Sequence, residues 1–400
     1  MCVLTYVALP DSARAAGFAL YEWSARGNAM GGAVIASQKQ GASCIASNPA
    51  GMTRIPGTQL EAGFTIINPQ GDVEFENGES DHVTSHAFFD PNMFVTQQIN
   101  DDWWFGVGEF TRFGLGTQYD EGWAGRGNMY KAVLETFSFN PNVAYKVNDE
   151  LSVAAGIEYV YGSMDLRKDN RAINAALNEW ILKPKGDAWG WDVAAHYVPT
   201  DWLSFGAMYR SSLRFFGTGS GEFTRSAGDD EMKMRATFPS SISTGMAIKA
   251  TDDLTFEVDY IYTMWSEFRK MTYLFTDKTK TALADVTDKT MDSIKDYNDA
   301  MRIQFGVEWQ AWDDVFLRAG YVFDESPQDK DYADYMLPSN DRQIVSTGLG
   351  LVFDKVSVDF SLMYLFASSR EIDNNVRGTF DSNIENSKAY MGSMSVSYSF

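Results

Sequence analysis

The sequence predicts an all-β fold: a transmembrane antiparallel β-barrel of about fourteen strands. Three observations carry this. Apolar and polar residues alternate at period two in runs of about ten residues, the length of a tilted strand crossing a bilayer. Tyr and Trp recur near the ends of these runs, where an interfacial girdle places its amphipathic rings. Short and long connections alternate along the chain, putting tight turns on one side of a membrane and long loops on the other.

Composition supports the class and removes others. Of 400 residues, 44% are hydrophobic and 22% charged, the balance of an ordered chain. Lys and Arg number 33 against 54 Asp and Glu, a net charge of −21 that repels phosphate backbones and excludes a nucleic-acid partner. Mean hydropathy is −0.27. No stretch reaches the ~18 apolar residues a spanning helix needs. A barrel escapes that test, because only every second residue faces lipid. Cysteines stand at 2 and 44 and histidines at 82, 86 and 196, in no zinc-site spacing, so neither metal nor cofactor is expected. An outer-membrane lipase or protease is the enzyme alternative. It lacks a nucleophile with a recognisable base, and a non-enzyme is expected.

The elements follow in chain order. Residues 1–15 read as the remnant of a signal peptide: Val3, Leu4, Val7 and Leu9 are apolar, and Ala13-x-Ala15 is a small-x-small cleavage pattern, though the basic n-region is missing. Residues 16–57 do not alternate, and the barrel is expected to span 58–400. Clear runs are Leu151–Tyr161, Leu254–Met264, Met301–Trp309, Val315–Phe323, Val356–Phe366 and Met394–Phe400. Tight turns fall at Asn100-Asp101-Asp102, Asn148-Asp149-Glu150, Pro199-Thr200-Asp201, Thr251-Asp252-Asp253, Trp312-Asp313-Asp314 and Asp354-Lys355. Longer loops are expected near 67–86, 114–132, 166–188, 214–238, 268–300, 325–341 and 368–387. The chain ends on a strand, with Phe400 as the signal read by the outer-membrane assembly machinery; a monomer in contact with outer-membrane lipids and lipopolysaccharide is expected.

Within residues 16–57 the run Ala16-Gly17-Phe18, the stretch Ser24-Ala25-Arg26-Gly27, the small-residue segment to Ala33 and the triplet Asn48-Pro49-Ala50 come in order. This resembles the hatch of the FadL family of outer-membrane long-chain fatty-acid and hydrocarbon transporters. Further pieces match it: Trp189-Gly190 and Tyr209-Arg210-Ser211 in the middle strands, and Asp259-Tyr260 with Trp265-Ser266-Glu267-Phe268 in the ninth. Arg318, Gly320, Asp324, Ser326 and Pro327, then Pro338, Asp341 and Arg342, match the eleventh and its loop. Loops 268–300 and 368–387 match nothing in the family.

The resemblance implies that residues 16–57 are a small N-terminal hatch plugging the barrel, with capture of a hydrophobic small molecule in outer loops, hatch movement and sideways exit at a third-strand kink. A long-chain fatty acid is the leading substrate; aromatic or alkane hydrocarbons are the alternative, and a structural or adhesive barrel or phage receptor is an alternative of another class. Gating is expected at Asn48, Pro49 and Ala50, since Pro49 stiffens the corner and the Asn48 amide can hold wall groups. Gly106 and Gly108 are the expected kink, or else simple barrel curvature. An outer-loop helix presenting Ile173, Leu177, Trp180 and Ile181 is expected to offer an apolar groove. Arg210, Arg302 and Arg318, with Arg214 and Lys249, are placed on the inward face; Arg210, Arg318 and Arg302 are the expected contacts of a ligand carboxylate, unless lumen acids already hold them.

Overall fold

The computed structural model describes residues 17–39, 41–84, 86–172, 179–223, 230–275, 290–337 and 340–400; the expected signal remnant 1–15 lies outside them. Fourteen antiparallel strands close into a barrel. They are β1 Thr58–Phe75, β2 Phe88–Gln98, β3 Trp103–Phe110 continued by Leu115–Gln118, β4 Lys131–Lys146, β5 Leu151–Asp169, β6 Glu179–Thr200 and β7 Leu203–Arg210 continued by Leu213–Phe223. The remainder are β8 (Asp230–Phe238 and Ser241–Lys249), β9 (Leu254–Thr263 and Lys270–Phe275), β10 (Thr290–Ile294 and Ala300–Trp312), β11 Val315–Asp324, β12 Arg342–Phe353, β13 Val356–Ala367 and β14 Ser382–Ser399. Closure is the β1–β14 ladder, from Gln59 opposite Ser399 to Phe75 opposite Ser382, with a one-residue register shift between Gln70 and Asp72.

Alternation becomes two faces. Along β13, Val358, Phe360, Leu362 and Phe366 lie outward, while Asp359, Ser361 and Met363 are buried in the lumen. Exposed aromatics ring both ends of the outer face: Trp202, Trp309, Trp312 and Phe400 by the short turns, and Trp189, Trp191, Tyr260 and Tyr390 by the loops. The short turns mark the periplasmic side. The expected loops are shorter than the sequence indicates, because strands run on past the lipid: β5 reaches Asp169, β6 starts at Glu179 and β7 reaches Phe223.

Five strands are interrupted, and the breaks set the interior. β3 breaks at 111–114, β7 at 211–212, β8 at 239–240, β9 at 264–269 and β10 at 295–299. At the β7 break the side-chain parity shifts, since Arg210 and Leu213 are both buried. Arg214 therefore faces outward, correcting its expected inward placement. Lys249 sits at the periplasmic rim, 2.8 Å from Asp252 of the turn.

Candidate functional site

The hatch fills the periplasmic half of the lumen. Its first helix, α1 (Ala25–Ala29), begins at Ser24, whose hydroxyl accepts from the Gly27 N–H at 3.1 Å. A second short helix, α2 (Cys44–Ser47), runs into a 3₁₀ turn at Pro49–Arg54, with Pro at its first position, where no N–H is needed. These elements are too short to hold themselves. The barrel wall supplies their partners.

Asp259 Oδ2 accepts from the N–H groups of Val34 (2.8 Å) and Ile35 (3.0 Å), and Glu257 accepts from the Ala36 N–H (2.6 Å) and the Ser37 hydroxyl (2.5 Å). Glu61 accepts from the Ser43 N–H at 2.9 Å. The Asn48 amide donates to the Ile35 carbonyl of the hatch (2.8 Å) and the Ala195 carbonyl of β6 (3.0 Å), and accepts from the Ala50 N–H (3.2 Å). Pro49 and Ala50 are buried beside it. Gly31 adopts a φ of +66°, and a Cβ on the facing Gly320 would lie 2.2 Å from the Gly31 nitrogen, so the hatch backbone rests directly on β11.

The three arginines expected to meet a carboxylate are committed to this seat. Arg210 donates to the Ile45 (3.2 Å) and Ala46 (3.0 Å) carbonyls and lies 3.6 Å from Glu158. Arg318 bridges Glu308 (2.7 Å) and Asp359 (2.6 Å), and Glu308 in turn holds Arg26 of the hatch (3.1 Å). Arg302 pairs with Asp324 (3.0 Å) and Glu22 of the hatch (3.7 Å). A buried cation without an anion is costly, so lumen acids and hatch carbonyls have filled these positions. The cavity beside Arg210 holds only ≈ 50 Å³ and that beside Arg318 ≈ 140 Å³, both below the size of a lipid site.

Above the hatch the chemistry changes. Phe18 stands in an aromatic cage, with ring centroids 5.7 Å from Phe113, 5.4 Å from Phe238, 4.9 Å from Trp265 and 5.1 Å from Phe268. Every cage residue lies in or beside a strand break: Phe113 in that of β3, Phe238 at that of β8, Trp265 and Phe268 in that of β9. The sequence contains Gly17-Phe18 as a family signature, but nothing local in it marks Phe18 as the centre of this cage.

Beside the cage the wall opens. β2 pairs with β1 up to Phe88 opposite Ile67, but with β3 only up to Met93 opposite Glu109. The β3 continuation forms its ladder with β4 and none with β2, although at its far end the Gln118 carbonyl accepts from the Thr84 N–H. Residues 88–92 thus have a free edge, because residues 111–114 turn inward to meet the hatch, the Arg112 carbonyl accepting from Leu20 and the Gly114 N–H donating to Phe18. A cavity of ≈ 300 Å³ runs through this gap, from Phe18 and Leu20 in the lumen to Phe89, 65% exposed, on the outer face. The kink expected at Gly106 and Gly108 is corrected: both lie in unbroken ladder with β2 and β4. Their lack of side chains makes room for the hatch, since a Cβ on Gly106 would sit 2.5 Å from the Met52 sulfur and one on Gly108 3.1 Å from Ile45.

A third space, ≈ 440 Å³, lies among the extracellular strand extensions and is lined by Leu166, Lys168, Trp180, Leu182, Met291 and Met336, among others. The outer face of β5 is apolar up to Tyr161 and polar from Ser163 onward. Lys168 is therefore about 20 Å beyond the lipid band along the strand, at ~3.3 Å per residue. Its ammonium lies 4.3 Å above the Trp180 ring, and no carboxylate among the described residues pairs with it. Burial, then the Arg377 and Lys295 cations, pushes it down to about 8. Of the expected outer-loop groove, Ile173 and Leu177 lie outside the described residues. Trp180 and Ile181 are not helical but belong to β6, Trp180 facing inward into this space and Ile181 half-buried on the opposite face.

A closed barrel with an internal plug, an aromatic cage above it and a gap in its side has the form of an outer-membrane transport channel. The comparisons with known proteins agree. The family described as outer membrane protein transport protein (OMPP1/FadL/TodX) matches residues 6–400, and the chain belongs to it. It is 23% identical to the long-chain fatty acid transport protein of Escherichia coli (strain K12), over 91% of both chains, and 25% identical to outer membrane protein P1 of Haemophilus influenzae, over 88% of this chain and 86% of that one. Among solved structures, a Pseudomonas aeruginosa FadL homologue superposes with a TM-score of 0.81 at 19% identity, covering 96% of this chain and 99% of the other. The P. putida toluene transporter TodX gives 0.73 at 19% identity, covering 94% and 98%. The protein transports hydrophobic molecules across the outer membrane of a Gram-negative bacterium.

Proposed function

We propose that the substrate is a long-chain fatty acid, captured in the extracellular space, passed by the Phe18 stopper and released sideways through the gap between β2 and β3. The observation that carries the substrate class is Lys168: a cation with no carboxylate of its own, set among Leu166, Trp180, Leu182 and Met291. A fatty acid needs an apolar slot for its tail and a cation for its head, and both are present in one cavity. Lys168 thus takes the role expected of Arg210, Arg302 and Arg318. A neutral hydrocarbon would gain nothing from it. The fatty-acid relatives at 23% identity support the reading, while the toluene transporter shares the fold. The hatch gates the lumen through its contacts at Asn48, Pro49 and Ala50, and the sideways exit uses the ≈ 300 Å³ gap.

The test is binding and uptake of oleate, methyl oleate and toluene by the inserted protein and by Lys168→Met. Wild type is expected to prefer oleate over its ester by about tenfold, the value of one charge-assisted contact, and Lys168→Met to abolish the preference. Equal affinity for acid and ester in wild type overturns the fatty-acid reading in favour of hydrocarbon uptake. Growth of a deletion strain on oleate or on toluene separates the same two substrates in the cell.

A further inference from the structure

The outer face above the aromatic girdle of β6, β7 and β8 carries cations that the transport path does not use. Trp189, Trp191 and Tyr209 mark the lipid boundary there, with Trp191 and Tyr209 rings 5.2 Å apart. Beyond them Lys185, Arg214, Lys233 and Arg235 are all exposed. The registers fix their arrangement. Lys185 lies opposite Thr218, and Thr218 opposite Lys233, so two ammonium groups flank one threonine in a single row. In the next row toward the lipid, Asp187 lies opposite Phe216, and Phe216 opposite Arg235. Arg214, opposite Thr237, stands one row lower still. Standard strand and residue spacings give the patch a size of roughly 10 by 13 Å.

No ion pair joins any of these four side chains to a carboxylate among the described residues, in a chain whose net charge is −21. Asp187 and Glu231 are the outward acids at its margins. The Arg235 guanidinium lies 5.8 Å from the centre of the exposed Phe216 ring, which points it along the wall. These groups face away from the lumen, so they do not meet the transported molecule. They face the head-group layer of the outer leaflet, with an exposed aromatic and then two tryptophans directly below. Several cations on a rigid sheet within about 10 Å of each other, over an apolar surface, match a lipid bearing more than one phosphate on a compact head.

We propose that the outward face of β6–β8 is a docking surface for the phosphorylated head group of lipopolysaccharide. Lys185, Lys233 and Arg235 meet its phosphates, Arg214 meets the phosphate nearest the acyl chains, and Phe216, Trp189 and Trp191 lie along those chains.

The experiment places the full-length protein in phosphatidylcholine nanodiscs and measures binding of bis-phosphorylated lipid A, chemically dephosphorylated lipid A, phosphatidylglycerol and inorganic phosphate. The variants are the quadruple Lys185→Gln/Arg214→Gln/Lys233→Gln/Arg235→Gln and a charge-preserving swap, Lys185→Arg/Arg214→Lys/Lys233→Arg/Arg235→Lys. Wild type is expected to bind bis-phosphorylated lipid A at least tenfold more tightly than the quadruple variant does, at about 1 kcal/mol per cation near a charged surface, while the swap stays within about threefold of wild type. Oleate binding is unchanged in both. If the quadruple variant does not insert, the pair Arg214→Gln/Arg235→Gln replaces it, with an expected loss of about fivefold or more. Equal binding of phosphorylated and dephosphorylated lipid A, undiminished binding by the neutralised variants, or equal affinity for phosphatidylglycerol or free phosphate would overturn the proposal.

Discussion

The two halves of the lumen solve opposite problems with the same wall. In the periplasmic half, Glu257, Asp259, Glu158, Arg210 and Arg318 are buried, and each is tied to the hatch or to a neighbour. Strands there are unbroken, and the cavities hold ≈ 50 and ≈ 140 Å³. In the extracellular half, strands β3 and β7–β10 break, aromatic rings replace ion pairs, and spaces of ≈ 300 and ≈ 440 Å³ appear. Directional charge-assisted hydrogen bonds hold one position and are costly to leave unmade, so they suit a seat that must stay closed. Aromatic contacts are non-directional over small shifts and open to an apolar guest at little cost, so they suit a passage.

Removing the seat has the largest expected effect on this division. Glu257→Leu/Asp259→Leu deletes the acceptors of three hatch N–H groups and the Ser37 hydroxyl, at about 1.5–3 kcal/mol for each bond to a charged group. The inserted variant is expected to conduct ions in planar bilayers where wild type stays closed. A closed variant would mean that shape, and not these acids, retains the hatch.

Phe18→Ala comes next, removing a caged ring worth about 3–5 kcal/mol by the usual cost of emptying an aromatic site. It is expected to raise uptake of a neutral apolar dye without ion conductance, since the polar seat below is untouched. Conductance in this variant would show that the two halves are a single lock.

Asn48→Ala loses two amide donations and one acceptor, about 1–3 kcal/mol. Oleate uptake should change in a correctly inserted barrel, as judged by heat-modifiable mobility in gels. Unchanged uptake would remove the gating role of this segment.

The smallest effect is on pH. Lys168 is held below the ordinary lysine range, at about 8, so its charge is complete at pH 6 and is lost as pH rises through 8. If oleate binds only the charged form, affinity is expected to be flat from pH 6 to 7 and about tenfold weaker at pH 9. Lys168→Met should flatten the profile at the weak value. A wild-type profile that is already flat would detach Lys168 from the ligand.

Much of the fold was legible because lipid enforces it. Val356–Phe366 alternates in sequence and faces out and in accordingly, and the turn at Asp354-Lys355 falls between β12 and β13 as its residues require. The hatch is legible as a segment that does not alternate and whose ordered motifs resemble the FadL family's, and Asn48 as its anchoring amide. Arg210, Arg302 and Arg318 were correctly placed inward by parity, but their partners Ile45, Asp324 and Asp359 lie up to 165 residues away in the chain and leave no local mark. Sequence parity puts Arg214 on the wrong face because a two-residue break shifts parity without changing composition. Glycine in a strand reads as a bend, which points to Gly106 and Gly108; the hatch side chains that fill their space come from residues 45 and 52.

The sequence by itself determined the period-two walls, the alternation of short turns and loops and the inward placement of Arg210, Arg302 and Arg318, all of which follow from neighbours along the chain and from the solvent each face meets. Only the tertiary structure decided where the wall opens, that Lys168 meets no carboxylate among the described residues, and which ring the aromatic cage surrounds. Each depends on pairing that runs out between strands far apart in the chain: β3 abandons β2 to meet Phe18, and the rings of β8 and β9 meet it from residues 238 to 268. No period in the sequence encodes a contact that exists only once the barrel has closed around its plug.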